Sequence, residues 1–91
     1  MDLLEMWLNR LELKDVKTEA IMSEQVVYPK DLKTKEFIGV DIQERIIYHT
    51  RPLKEDDIVH ELLHIKFPKM SEKNINLLTK LITTKKPKMN E

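Results

Sequence analysis

His60-Glu61-Leu62-Leu63-His64 sets two imidazoles four residues apart, with a carboxylate directly after the first. On a helix, positions i and i+4 stand one turn apart on one face. Both rings can then reach a single metal ion at about 2.0–2.1 Å. Glu61 falls near that face but outside the set of ligands. There it can take a proton from a water whose pKa a zinc ion has lowered, which is the chemistry of hydrolytic zinc sites. With three histidines in 91 residues, a shuffled chain would show this spacing in fewer than about one case in a hundred. The pattern is therefore read as a metal motif rather than as a pair of unrelated helix histidines.

A catalytic zinc site has three protein ligands and one open position. Cysteine is absent, so a thiolate cannot serve. Downstream of His64 the chain has two carboxylates, Glu72 and Glu91. Glu72 is expected as the third ligand, turned back toward the metal by the break at Pro68. A first-turn acid is also favoured by the helix dipole whatever else it does, so the two readings of Glu72 stand side by side. His49 and Tyr48 end a strand just before the motif. They are candidates to line the site or to donate to an oxyanion, against the plainer readings of a surface histidine and a sheet-packing tyrosine.

These groups need elements to hold them. Asp2 to about Leu13 has Leu4, Leu8 and Leu11 on one helical face, and Asp2 with Glu5 forms a capping box. Thr18 to Ser23 and Val26 to Tyr28 are short strand candidates, ended by Pro29. Glu36 to Asp41 and Arg45 to His49 are β-branched and aromatic runs across a short polar turn, the pattern of a hairpin. The motif helix should begin near Asp56 or Asp57 and run to about Ile65, with Ile58, Val59, Leu62 and Leu63 buried. Pro68 blocks its continuation. Ser71 is placed to cap a last helix with Ile75, Leu78 and Ile82 on one face. The layout is α+β: an N-terminal helix, a small three-stranded sheet with a hairpin, the motif helix and a C-terminal helix. Residues 1–84 are read as one domain and 85–91 as a basic tail.

Formal net charge is zero, yet seven lysines follow from Lys66 onward against Glu72 and Glu91. This is either a solvated basic end or one that docks on an acidic surface. Neutral overall charge, few aromatics and no reader motif argue against nucleic-acid binding. The apolar runs are too short to span a membrane and the N-terminus lacks a signal region. A soluble, cytoplasmic protein with no membrane partner is expected. Abundant Lys, Glu and Ile with a single glycine suggest a heat-adapted source.

On the motif at 60–64 and the order of elements, the chain resembles the minigluzincins. These are minimal soluble metallopeptidases of the gluzincin clan, similar to the catalytic domains of HtpX-type peptidases. The resemblance implies His60 and His64 as zinc ligands, Glu61 as general base and acid, and a peptide or protein substrate. It also implies latent, zymogen-like forms, in which the C-terminal segment covers the cleft in cis or is exchanged within a homodimer. The third ligand departs from the pattern. Gluzincins place their glutamate farther along than Glu72, and the position six residues after His64, where related peptidases have a histidine, is Met70. Either Glu72 serves or the site is incomplete. The competing expectation is a metal-stapled interaction module that dimerises through its last helix.

Overall fold

The computed structural model describes residues 2–28 and 36–84. The expected basic tail at 85–91 lies outside the described residues, as does Pro29. The chain begins with helix α1 (Leu3–Leu11), capped as expected. The Glu5 N–H donates to Asp2 Oδ1 at 2.8 Å, and the Asp2 N–H donates to the Glu5 carboxylate at 3.4 Å. The helix stops at Leu11 rather than about Leu13, because Glu12 turns into the left-handed region at φ 59°.

Three strands follow: β1 (Lys17–Ala20), β2 (Ile38–Asp41) and β3 (Ile46–His49). They form one sheet in the order β1-β3-β2. β2 and β3 are the expected antiparallel hairpin, whereas β1 runs parallel to β3. The hairpin turn closes through the Arg45 N–H on the Asp41 carbonyl at 2.7 Å and the Glu44 N–H on Asp41 Oδ1 at 3.0 Å. Arg45 takes φ 60° to complete it, the left-handed step that four-residue loops need before the strand resumes.

The strand expectations between residues 18 and 28 need correction. The first ends at Ala20, and Ser23–Gln25 is a turn of 3-10 helix. Val26 to Tyr28 is not a strand. The Gln25 side chain accepts from the Met22 N–H at 2.7 Å, and the Gln25 N–H donates to the Met22 carbonyl at 2.9 Å. These local bonds satisfy groups that a ladder would otherwise use.

Helix α2 (Glu55–Lys66) lies at the centre of the core. Ile58, Val59, Leu62, Leu63 and Ile65 are all buried on it, against Trp7, Val16, Ile47 and Ile75. It packs on α1, on β2 and on α3 (Glu72–Thr84). Both of its ends are pinned to α1. The Trp7 indole N–H donates to the Glu55 carboxylate at 2.8 Å, and the Lys66 ammonium donates to the Leu11 carbonyl at 2.7 Å. Ser71 caps α3 by accepting from the Asn74 N–H at 3.2 Å. Among the described residues, no helix is long and apolar enough to cross a membrane.

Candidate metal centre

The register of α2 follows from its apolar pattern, and that register decides where the histidines go. Burying Ile58, Val59, Leu62, Leu63 and Ile65 leaves His60 and His64 on the side facing α3 and β2, with side chains 20 % and 21 % exposed. Their Nε2 atoms are 3.2 Å apart and the rings meet edge to face, centroids 4.9 Å apart. Glu72, the first residue of α3, completes a triangle. One of its oxygens is 2.9 Å from His60 Nε2 and the other 2.9 Å from His64 Nε2.

Tetrahedral zinc with ligands at about 2.0–2.1 Å would hold its ligand atoms roughly 3.3 Å apart. The two histidine Nε2 atoms, 3.2 Å apart, are close to that spacing, and a Glu72 oxygen lies 2.9 Å from each of them. Two imidazoles and a carboxylate are also a donor set that such an ion takes. His60, His64 and Glu72 thus form a group able to hold a metal ion. Their nitrogens and oxygens need an ion or protons between them, since neutral imidazole acceptors and a carboxylate cannot all bond one another.

Glu61 is set apart from this triangle. It is 7 % exposed, and among the described residues no protein donor hydrogen-bonds it. Burial pushes its carboxyl up to about 7, helped by the negative charges of Glu72 and Asp57. A carboxylate held near neutral pH, aimed into a cavity and free of partners, is suited to accept a proton and to give it back. Two cavities meet at this group. The smaller, of about 310 Å³, is walled by Ile38, Gly39, Val40 and Ile42 together with the triangle. The larger, of about 710 Å³, runs from His60 and Glu61 along α3 past Asn76, Thr79 and Lys80.

β2 lies at the edge of the sheet and pairs only with β3 among the described residues. Its Ile38 lines both cavities, and Gly39 and Val40 line the smaller one. Its approach is strapped to α2 by Arg51. The Arg51 guanidinium donates to both Asp57 oxygens, at 2.8 and 3.1 Å, and lies 3.3 Å from Glu36. Asp57 also accepts from the Lys54 N–H at 2.9 Å, fixing the first turn of α2. Partial burial opposes the Asp57 charge, but the bonds from Arg51 and Lys54 outweigh it and hold the carboxyl below its usual range.

The structure thus brings together His60, Glu61 and His64, related by their spacing, with Glu72, expected from the few carboxylates after the motif, but not His49 or Tyr48. His49 Nδ1 sits 2.9 Å from the Arg51 carbonyl, where its ring braces the turn into α2. Tyr48 pairs with Gly39 on the sheet face opposite Ile47. It lines a separate cavity with Phe37 and Asp41. The Arg51–Asp57–Glu36 strap was not anticipated, because an arginine six residues before an aspartate carries no periodic signal. The α3 wall did leave one: Glu72, Asn76, Thr79, Lys80 and Thr83 recur at helical spacing on a single stripe. Comparison with known protein families, known proteins and solved structures finds no match for the chain.

Proposed function

We propose that the protein is a minimal zinc-dependent peptidase. The observation that carries the reading is the triangle of His60, His64 and Glu72 with the buried, unpartnered Glu61 beside it. A bound zinc ion would supply a Lewis acid and a water of lowered pKa. His60 and His64 present their Nε2 atoms from one helix face, and Glu72 closes the set from the next helix. Glu61 takes the proton from the attacking water and returns it to the leaving amine. The free edge of β2 offers backbone donors and acceptors to an extended peptide, the usual way a strand-like segment is held beside a sheet. The arrangement is what the resemblance to the minigluzincins leads one to expect, with Glu72 in the place of a more distant glutamate. The decisive experiment is hydrolysis of an unfolded protein such as casein by zinc-loaded protein and by Glu61→Gln. Cleavage by the first and not the second supports the reading. Equal cleavage or none by either sinks it.

A second reading has one observation in its favour. Leu77 and Leu81 lie one turn apart on α3 and are 54 % and 52 % exposed, an apolar stripe that suits a helix partner. In that reading the metal staples α2 to α3 and the stripe joins two chains. Sedimentation of wild type against Leu77→Lys separates the two.

A further inference from the structure

The first turn of α2 carries three consecutive acids, Glu55, Asp56 and Asp57, and their fates differ. Glu55 receives the Trp7 indole N–H. Asp57 is engaged by Arg51 and the Lys54 N–H. Asp56 is exposed and has no partner among the described residues, yet it lines the large cavity that opens beside Glu61. That cavity is also lined by Glu61, which is 7 % exposed and has no hydrogen-bond partner among the described residues. Such a group is costly to bury unless something polar arrives to meet it. Charge selects what that is. The walls carry Glu36, Asp56 and Asp57 against Arg51 and Lys80, a net of one negative charge before Glu61 is added. Arg51 is committed to Asp57 and Glu36, and Lys80 sits on the facing helix.

We propose that the cleft beside Glu61 receives a basic side chain of the peptide substrate, lysine or arginine, whose cationic end is held by Asp56. The inference rests on reading this cleft as the substrate groove. The apolar stem of such a side chain would lie along Phe37 and Ile38, with its charged head at the water-facing rim. The subsite makes the enzyme selective for peptides with a basic residue next to the scissile bond.

The test uses the full-length, isotope-labelled protein, zinc-free and zinc-loaded, titrated with N-acetyl-arginine amide, N-acetyl-leucine amide and N-acetyl-glutamate amide and followed by NMR. The arginine probe is expected to shift backbone signals around Asp56 and from Asn76 to Lys80. It should bind about three- to fivefold tighter than the leucine probe, the range open to a partly exposed ion pair. Asp56→Asn should erase that margin and Asp56→Lys reverse it in favour of glutamate, with circular dichroism verifying that both variants fold. Half-molar salt should shrink it. Equal or tighter binding of the leucine or glutamate probe, shifts elsewhere or none at all, or a margin untouched by Asp56→Asn would overturn the proposal. A peptide series differing only beside the scissile bond separates the two readings. Probe preference without any cleavage would remove the peptidase reading and leave the subsite. Cleavage indifferent to basic residues would remove the subsite and leave the peptidase.

Discussion

Glu72 follows His64 by eight residues, yet its Oε1 atom stands 2.9 Å from His64 Nε2. The turn at Phe67 to Met70, closed by the Met70 N–H on the Phe67 carbonyl at 3.0 Å, reverses the chain so that the start of α3 faces the motif. Metal binding should therefore need both helices. Wild type should take up one zinc per chain, His64→Ala should lose it, and Glu72→Gln should weaken it by at least about tenfold. Metal analysis and a competition titration with a chelator check this. Full zinc affinity in Glu72→Gln would show that the carboxylate is no ligand.

The metal-free protein has a second testable property. In the zinc-free protein the Glu61 carboxyl is raised from 4.5 to about 7, so the folded state holds a proton that the unfolded state has released. Stability then falls as pH rises from about 4.5 to 7 and levels off above, by up to about 3 kcal/mol if the whole shift is expressed. Glu61→Gln mimics the protonated carboxyl and should match wild type near pH 4.5 but exceed it at pH 8. Urea unfolding with chelator present at both pH values measures the difference. A constant gap between the two proteins would sink the argument. On the peptidase proposal, the zinc-loaded variant should keep its metal and lose turnover.

The chemistry-bearing residues were legible in proportion to how local they are. His60, Glu61 and His64 share one helix, so spacing alone sets their relation. Glu72 was reachable by elimination, because the chain offers few carboxylates after the motif. The hairpin was legible because Val40 and Ile47 sit in β-branched and aromatic runs about a polar turn. The parallel pairing of Lys17–Ala20 with β3 was not. All four residues of that strand are exposed, so no buried alternation marks it. The strap from Arg51 to Asp57 was equally silent, since it joins the end of a strand to the first turn of a helix and repeats nothing.

That strap makes its own prediction. Asp57 is held below its usual carboxyl range, against partial burial, by Arg51 and the Lys54 N–H. Its contribution is present above the ordinary value of 3.8 and is lost as pH falls below it. Asp57→Asn should cost about 1 kcal/mol at pH 7, allowing for solvent screening, and almost nothing near pH 2. Arg51→Gln should loosen the approach to β2, read as faster amide exchange at Phe37 and Ile38 with zinc content unchanged. Unaltered exchange there would mean that the strap does not position the edge strand.

Ile75 links core to site. It is fully buried and lies three residues after Glu72 on the same helix, so its packing against α2 holds Glu72 beside the histidines. Ile75→Ala should cost about 2–5 kcal/mol through lost burial and the cavity left behind. That is a large share of the roughly 5–15 kcal/mol that stabilises a domain. A zinc ion held by His60, His64 and Glu72 would bind only the state in which α3 is docked, so saturating zinc should restore part of the lost melting temperature. The variant's zinc affinity should fall as well, because some of the binding free energy is spent on docking α3. Ile75→Val, with a smaller cavity, should show the same two effects on a reduced scale. If Ile75→Ala lowered stability but left zinc affinity intact, α3 docking and metal binding would be independent, and Glu72 would have to reach the histidines without support from the core.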